Sequence, residues 1–347
     1  MGKLKVIGAM VVMVLGLSCG AQWIGDDRPT DPESLFDEFW LAYDRYYAHF
    51  EVKAVDWDAI YERYRPEVDP MTTEEELFEV FGQMIAYLED GHVYIVGNGQ
   101  RALSNQNLRA RDDGYDSEVI RQQFLNGEVL EGDTGQMLYG RLEGDIGYLR
   151  IGSLAGGSGR GTDVSGWVEE IASVVEDLQD TQAMVIDLRN NPGGRAFNAK
   201  YIAGFFAPER RRFLMTRSRS GPDHQDFSSP RHWYVKPHEM DPYTQPIVVL
   251  TNRRTFSAAE WLTLGLRQYD HVYHMGTHTG GGMAMFLPRE LANGWMFTIS
   301  VQDARCPEGR SYERIGIPPH RYLPKGNDDG RADAALEGAM EFLETHH

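Results

Sequence analysis

The stretch Ile247-Val-Val-Leu-Thr-Asn-Arg-Arg-Thr-Phe-Ser257-Ala-Ala-Glu260 decides the fold of this chain. Residues 247–250 are a short continuous apolar run, which is typical of a strand buried on both faces of a parallel sheet. A polar turn follows, and residues 258–268 then have the apolar pattern of a helix. Ser257 therefore lies at a strand–turn–helix junction, beside the unpaired amides and the positive dipole end of a helix.

Ser257 at this junction has two interpretations. Ser257-Ala-Ala-Glu260 is a capping box in front of an apolar run, and serine is a common N-cap residue. Acyl-transfer enzymes also place a nucleophile at such a junction, because the free amides can hold the oxyanion that the reaction creates. Taken alone, the stretch favours the cap, so the rest of the chain has to decide.

Buried strands and helices alternate along the second half of the chain. Residues 144–151 and 183–188 predict strands, residues 167–178 and 196–206 predict helices, and the turn Gly193-Gly194 follows the second of these strands. This alternation predicts an α/β fold with parallel crossovers. Sites in such sheets form at the carboxyl ends of strands, where both the Gly-Gly turn and Ser257 lie. Further strands are predicted at 93–96, 272–275 and 295–301, and a last helix at 333–343.

Residues 33–91 predict a helical subdomain in front of the α/β core, which we assign to 92–347. Its clearest helix begins at a Thr73–Glu76 capping box, and Gly91 is predicted as the left-handed residue that ends it. His92 follows, near the negative end of that helix dipole, which favours a protonated imidazole. Within the core, residues 207–244 show little periodicity, so a loop or lid is predicted there.

The overall charge and the N-terminal residues limit which partners the protein can have. A net charge of -18, from 52 acidic and 34 basic residues, argues against nucleic acid and anionic membrane surfaces as partners. Residues 1–19 contain two lysines and then an apolar run shorter than the roughly 20 residues that span a bilayer. They predict a signal peptide, with Cys19 as a possible lipid anchor, residues 20–32 as a tether, and export to the periplasm or cell envelope.

Five motifs, taken in order, resemble the C-terminal-processing and tricorn-core serine peptidases, a family that also includes the interphotoreceptor retinoid-binding modules. The motifs are Leu88-Glu-Asp-Gly-His92, Ile146-Gly-Tyr-Leu-Arg150, Val185-Ile-Asp-Leu-Arg-Asn-Asn-Pro-Gly-Gly194, Thr255-Phe-Ser257-Ala-Ala-Glu260 and Glu313-Arg-Ile-Gly-Ile-Pro-Pro319. The resemblance implies a crotonase/ClpP-like α/β core behind an N-terminal helical subdomain.

The same resemblance implies roles for individual residues. Ser257 becomes the nucleophile, His92 its general base and Glu313 the carboxylate that orients the site. The implied oxyanion hole consists of the backbone amides of Ala258 and of one of the two glycines, Gly193 or Gly194.

The chain also departs from parts of the family pattern. The lysine of one branch falls at Gly282 here, which excludes a Ser–Lys dyad, and Gly91 stands where the tricorn-like branch has a serine. Too few residues separate His92 from Ile146 for a peptide-binding PDZ domain. We therefore expect the helical subdomain or residues 207–244 to bind the substrate.

We accordingly predict an exported serine endopeptidase of peptide or protein substrates that needs no cofactor. His271, His274 and His278 are close in sequence, but no carboxylate or cysteine pattern completes a zinc set, and no metal is expected. The alternative is a binding module of the same fold, with weak or no catalysis, for an apolar ligand or a peptide. An esterase is a third possibility, disfavoured because Thr255 and Ala259 occupy the glycine positions of a nucleophile elbow.

Overall fold

A computed structural model describes residues 28–105, 115–131, 136–156, 164, 166–323 and 332–346. The predicted signal peptide with Cys19, and residues 20–27 of the predicted tether, lie outside the described residues. Among the helices of the described ranges, none combines the length and the apolar character needed to cross a bilayer.

The secondary structure follows the chain in two parts. The helices are α1 (Pro32–Tyr46), α2 (Phe50–Lys53), α3 (Trp57–Tyr64), α4 (Glu74–Ala86), α5 (Ser117–Val119), α6 (Glu170–Asp177), α7 (Ala196–Ala203), α8 (Ala258–Leu266) and α9 (Ala334–Glu344). The strands are β1 (Tyr94–Gly97), β2 (Gln100–Leu103), β3 (Asn126–Glu131), β4 (Met137–Leu142), β5 (Ile146–Ile151), β6 (Ala183–Asp187), β7 (Arg211–Ser218), β8 (Arg231–Val235), β9 (Ile247–Thr251), β10 (Val272–Gly276), β11 (Phe286–Glu290), β12 (Met296–Ser300), β13 (Gln302–Arg305) and β14 (Arg321–Tyr322). Short 3₁₀ turns at Arg65–Glu67, Gly166–Glu169 and Gly204–Phe206, and a π turn at Ile120–Phe124, extend neighbouring helices.

The central element is a seven-stranded sheet with the order β14-β10-β9-β6-β5-β4-β3. Strands β5, β6, β9, β10 and β14 run parallel, whereas β4 pairs antiparallel with both β5 and β3 and is the one reversed strand of this sheet as described. Every residue of β6 and β9 is buried, as expected for strands covered on both faces. The predicted α/β fold with parallel crossovers is therefore confirmed.

Alternate residues of the central strands face two different layers of helices. In β6, Met184 and Ile186 pack into a cluster with α6, α7 and α8, which we call the α/β cluster. Val185 points the other way and packs with Leu336 of α9. The period of two in a strand explains how one short apolar run covers both faces.

The N-terminal helices pack on a separate, four-stranded sheet with the order β11-β12-β1-β2. Phe39 of α1 stacks on Phe81 of α4 with ring centroids 4.1 Å apart, and Phe39 also contacts Phe297 of β12 at 5.1 Å. These aromatic side chains form the second cluster, the helical cluster. Helix α1 starts at the Asp31 cap and α4 at the predicted capping box of Thr73 and Glu76.

The end of α4 differs from the sequence prediction. The helix ends at Ala86, and the left-handed residue beyond it is Glu89, at φ 43°, rather than Gly91. Tight turns follow the helix, with the amides of Leu88 and Glu89 bonded three residues back. The chain is then fixed at Asp90, whose amide donates to Ser104 Oγ at 3.0 Å. A buried polar residue, invisible as such in the sequence, therefore sets the turn.

The prediction of a loop or lid at 207–244 is wrong for much of that range. Strands β7 and β8 pair there as an antiparallel hairpin, and β13 completes a three-stranded sheet. The pairing shifts register between Arg212 and Leu214, and this bulge interrupts the alternation that would reveal a strand. Trp233 on the inner side of the hairpin contacts Trp261 of α8, with ring centroids 5.0 Å apart.

Candidate active site

Ser257 does not have the conformation of an ordinary helix cap. An N-cap residue is normally extended and its side chain accepts a hydrogen bond from the helix, but Ser257 has φ 57° and ψ -122°. Its backbone is tied to Glu260 instead, because the Ser257 amide donates to Glu260 Oε2 at 3.0 Å and the Glu260 amide donates to the Ser257 carbonyl at 2.9 Å. Strained strand-to-helix turns of this kind expose the nucleophile in α/β-hydrolases.

Gly193 and Gly194 allow the preceding turn to lie against this serine. At Gly193, with φ 90°, an added Cβ would stand 2.5 Å from the Phe256 carbonyl oxygen and 2.7 Å from Ser257 Cβ. At Gly194, with φ 143°, it would stand 2.2 Å from the Ala155 nitrogen. Only glycine permits both the positive φ and the close approach.

The two glycine amides differ in their partners. The Gly193 amide donates to Asn191 Oδ1 at 2.8 Å. In the described part of the chain, the amides of Gly194 and Ala258 form no hydrogen bond, and Gly194 lines the same cavity as Ser257. Of the three amides named from the sequence, those of Gly194 and Ala258 are thus free to bind an oxyanion.

His92 is brought to the serine across 165 residues of chain. Its Nε2 lies 3.0 Å from Ser257 Oγ. The backbone of His92 is fixed on both sides, because its amide donates to Asp90 Oδ1 at 2.9 Å and its carbonyl accepts from Thr298 Oγ1 at 2.6 Å. The imidazole stacks on Phe286, with ring centroids 4.9 Å apart.

Burial lowers the pKa of His92 to about 4, and the nearby Asp90 carboxylate only partly opposes this shift. The sequence-based expectation of a favoured imidazolium is therefore wrong. The helix dipole acts only within the last turn of a helix, and His92 lies well beyond Ala86, where burial dominates. A neutral imidazole can accept the proton of a serine hydroxyl.

Glu313 lies behind the serine–histidine pair and contacts neither residue through a hydrogen bond within the described ranges. Its Oε1 accepts from the amides of Met283 and Ala284 at 2.7 and 2.9 Å. Its Oε2 lies 3.8 Å from His49 Nδ1 and, like His92 Nδ1, is a buried atom without a hydrogen-bond partner among the described residues. Ser257 and His92 thus meet, whereas Glu313 is one layer further in.

A buried polar group from the helical region occupies this inner layer and was not identified from the sequence. Lys53 Nζ lies 3.3 Å from Asp90 Oδ2, Tyr47 donates to the same oxygen at 3.0 Å, and His49 Nδ1 lies 3.6 Å from it. Although burial by itself raises the pKa of Asp90, Lys53 and His49 hold it well below its usual range. We call Tyr47, His49, Lys53 and Asp90 the buried polar group.

Three side chains in this layer could in principle ligate a metal. The ligand atoms of His49, Asp90 and Glu313 lie within 4.8 Å of one another. The Lys53 ammonium beside Asp90 already supplies a positive charge, so the residues fit a charge-balanced cluster better than a divalent cation. Of the three histidines weighed from the sequence, His274 is buried and its Nε2 lies 2.7 Å from Thr251 Oγ1.

Glu260 anchors the turn at Ser257 to the following glycine-rich loop. Its carboxylate accepts from Thr279 Oγ1 at 2.6 Å and from the amides of Gly281 and Gly282 at 2.9 and 2.8 Å, in addition to the Ser257 amide. Burial raises the pKa of Glu260 to about 7 against these hydrogen bonds. A Cβ at Gly282 would stand 2.2 Å from the Phe256 ring, so a lysine does not fit there without displacing Phe256.

Comparisons with known proteins show which family the sequence is similar to. A family model described as peptidase family S41 matches residues 145–323, and one described as the tricorn protease C1 domain matches residues 28–86. A carboxyl-terminal-processing protease of Synechocystis sp. is 26% identical over 182 residues, which are 50% of this chain and 40% of that protein. The chloroplastic carboxyl-terminal-processing peptidase 2 of Arabidopsis thaliana is 24% identical over 402 residues, covering 93% of this chain and 76% of that protein.

A solved structure resembles the whole described architecture. The crystal structure of a proposed peptidase from Parabacteroides merdae has a TM-score of 0.80 at 27% identity, covering 91% of this chain and 97% of that chain. By contrast, the chain spans less than half of the length of the Synechocystis relative, at 40%.

Proposed function

The chain belongs to peptidase family S41, and from this premise we propose that it is a serine peptidase with Ser257 as nucleophile and His92 as general base. The observation that carries the proposal is the 3.0 Å distance between Ser257 Oγ and His92 Nε2. Nucleophile and base must be within hydrogen-bond reach, and this pair is so without any substrate bound.

In the proposed reaction, Ser257 Oγ bonds to the peptide carbonyl carbon while its proton moves to His92 Nε2. The oxyanion that forms accepts hydrogen bonds from the amides of Ala258 and Gly194. The C–N bond then breaks as His92 returns the proton to the leaving amine. Water next gives a proton to His92 and attacks the acyl ester, and Ser257 regains its proton as the acid product leaves.

Glu313 and the buried polar group act in this proposal by positioning. Asp90 holds the His92 amide, and Glu313 fixes the amides of Met283 and Ala284 in the loop that leads to Phe286. Because Phe286 stacks on the imidazole, both carboxylates restrict where His92 can move. The sequence resemblance implied that Glu313 orients the site, and in this proposal it does so through the loop that carries Phe286.

The substrate and location belong to the proposal as well. The named relatives are carboxyl-terminal-processing enzymes, so we propose that this chain cleaves peptides or proteins near their carboxyl termini. Export, with or without a lipid anchor at Cys19, is proposed from residues 1–19 alone.

Labelling with a serine-reactive phosphonate tests the mechanism without knowledge of the substrate. The wild-type protein should acquire the phosphonate on the peptide that contains Ser257, and Ser257→Ala should not. His92→Ala should be labelled about 10²- to 10⁴-fold more slowly, because it lacks the general base. His232→Ala, at an exposed histidine of β8, is the matched control and should be labelled at the wild-type rate. Equal rates for His92→Ala and wild type would exclude the proposed base.

The competing function is a binding module of the same fold without catalysis. It gives no reason for a strained backbone at the nucleophile or for a neutral imidazole 3.0 Å from its hydroxyl. A folded wild-type protein that resists the phosphonate, and that carries an apolar ligand through purification, would favour the binding module instead.

A further inference from the structure

Two arginines line the cavity that opens at the catalytic serine. The cavity has a volume of about 460 Å³, and Arg101 and Arg254 are among its lining residues together with Ser257 and His92. No carboxylate is among the described residues that line it. The chain has a net charge of -18, whereas the two arginines make the charge of this cavity positive next to Ser257 and His92.

Neither of these arginines has an acidic partner within the described ranges. Arg189 is paired with Asp187 and Asp333 at 2.6 and 2.8 Å. Arg101 and Arg254, by contrast, have exposed side chains and form no ion pair there. Exposed cations without a carboxylate are available to a ligand that brings one.

The two arginines reach the cavity from two different elements of the fold. Arg101 is on β2, paired with Val96 of β1, and its guanidinium stacks over the Tyr94 ring at 4.3 Å. Arg254 is in the turn that leads to Ser257, and its amide donates to Asn252 Oδ1 at 3.1 Å. One guanidinium therefore belongs to the side of the base and the other to the side of the nucleophile.

The rest of the lining suits a peptide. Phe286, with 39% of its surface exposed, and Phe256 give the cavity an apolar side next to the His92 ring. A peptide that places an apolar group there brings its neighbouring groups towards the arginines. A guanidinium binds a carboxylate through two parallel hydrogen bonds, which an uncharged amide cannot match.

We propose that Arg101 and Arg254 select substrates that carry a carboxylate close to the cleaved bond. This inference rests on the proposed function, because it describes what the same cavity binds. The carboxylate has two possible sources, an Asp or Glu side chain, or the free carboxyl terminus of the substrate. Either source makes the same charge-assisted contacts, so the experiment has to separate them.

The experiment begins with a peptide library derived from a proteome, in which mass spectrometry locates the bonds that the wild-type protein cleaves. The best-cleaved peptide is then made in matched versions. Acidic residues near the cleaved bond are replaced one at a time by the corresponding amides, and the carboxyl terminus is either free or amidated. The preference is the ratio of kcat/KM for a charged version to that for its uncharged counterpart.

We expect a preference of about 10- to 100-fold for the charged version, the range of one or two charge-assisted hydrogen bonds. Dependence on the side-chain charge assigns the contact to Asp or Glu, and dependence on the terminal charge assigns it to the carboxyl terminus; both support the inference. In Arg101→Gln and Arg254→Gln the preference should fall by about tenfold or more. Arg210→Gln should retain it, because Arg210 also stacks on a tyrosine, Tyr234, but does not line the cavity.

Phosphonate labelling of the same preparations separates two kinds of failure. If Ser257 is labelled and peptides are cleaved with no preference for charge, or if both arginine variants keep the wild-type preference, this inference is wrong while the proposed function stands. If Ser257 is not labelled at all, the proposed function fails and this inference with it. Thermal unfolding of each variant shows that a lost preference does not come from a lost fold.

Discussion

At the residue scale, Ser257 and His92 are both held in locally unfavourable states. Ser257 has φ 57°, and a non-glycine residue in such a region costs on the order of 1–3 kcal/mol. His92 is buried, with its pKa lowered to about 4. Each state serves the proposed chemistry, since the first exposes the hydroxyl and the second keeps the base unprotonated.

The pH dependence of labelling follows from the state of His92. The imidazole must be neutral to act as a base, so phosphonate labelling of Ser257 should persist down to about pH 5 and decline as the pH falls through about 4. The rate constant for labelling, measured from pH 3.5 to 8, gives the midpoint, and circular dichroism at each pH shows that the fold persists. A midpoint near 6.5, the value of an unperturbed histidine, would contradict the burial argument.

The backbone of Ser257 leads to a second prediction, on stability. Ser257→Gly and Ser257→Ala both remove the hydroxyl, but only glycine relieves the positive φ. We expect the free energy of unfolding of Ser257→Gly, measured by urea titration, to be about 1 kcal/mol higher than that of Ser257→Ala. At Ser173, exposed within helix α6, the order should reverse, because glycine is about 1 kcal/mol worse than alanine inside a helix. The same order at both positions would show that Ser257 is not strained.

The proposed catalytic pair could be predicted from the sequence, but the residues behind it could not. Ser257 and His92 stand in short motifs that a family resemblance makes specific. Lys53 and His49 instead occur in an aromatic-rich helical stretch, where a charged residue is normally assigned to the solvent face, since buried lysines are rare. Their role depends on Asp90, which the chain brings to them only after α4, and sequence spacing does not reveal that contact.

At the scale of the element, the four-residue helix α2 connects the helical region to the site. Lys53 is its last residue and His49 precedes it, and both reach the Asp90 carboxylate. Neither is in hydrogen-bond contact with Ser257 within the described residues. Helix α2 therefore supports the position of His92 through Asp90.

Lys53→Met tests this support. Removing the ammonium leaves buried carboxylates uncompensated, which should cost about 3–5 kcal/mol of unfolding free energy. Lys53 contributes to lowering the pKa of His92, so this pKa should rise in the variant. The decline of the labelling rate at low pH should therefore move to higher pH. Urea unfolding and the pH profile of labelling measure the two effects.

The control for this variant is Lys236→Met, at an exposed lysine that follows β8. It removes the same charge but should leave both the unfolding free energy and the pH profile within error of wild type. A Lys53→Met protein as stable as that control would mean that Lys53 does not balance Asp90 and Glu313.

Elements with regular patterns were predicted well, and irregular ones were not. Strand β9 and helix α8 follow from apolar periodicity alone, and their observed bounds differ little from those predicted. The β7–β8 hairpin is not predicted because its bulge breaks the alternation and because arginines stand among its apolar residues. Arg231, for example, stacks over Trp233 at 4.1 Å, so a long charged side chain hides an apolar residue of a strand.

At the scale of the whole molecule, the site lies where two hydrophobic clusters meet. His92 precedes β1, whose Ile95 belongs to the helical cluster, and Ser257 precedes α8, whose Ala258 belongs to the α/β cluster. The 3.0 Å contact between His92 Nε2 and Ser257 Oγ thus joins two separate hydrophobic clusters. Small shifts of one cluster against the other act directly on this distance.

As the urea concentration rises, the protein should therefore lose reactivity at Ser257 before it loses its fold. A misplacement of about 1 Å can reduce a rate about 10²-fold, so labelling of Ser257 should decline at a lower urea concentration than the circular dichroism signal. Thiol modification of Cys306, a buried member of the α/β cluster, is the internal control and should follow the circular dichroism. If labelling, thiol modification and circular dichroism share one midpoint, the two clusters unfold as a unit.

The pairing of β1 with β12 has a consequence for how the protein is made. Ile95, three residues after the base, pairs with Phe297, which lies well beyond the nucleophile in the chain. The contacts of β12 that hold the segment around His92 can therefore form only after a ribosome has synthesised the chain past residue 297. On the proposed function, a nascent chain that already contains Ser257 still lacks a seated general base, so we expect the order in which the segments emerge to delay cutting of neighbouring chains until the fold is nearly complete.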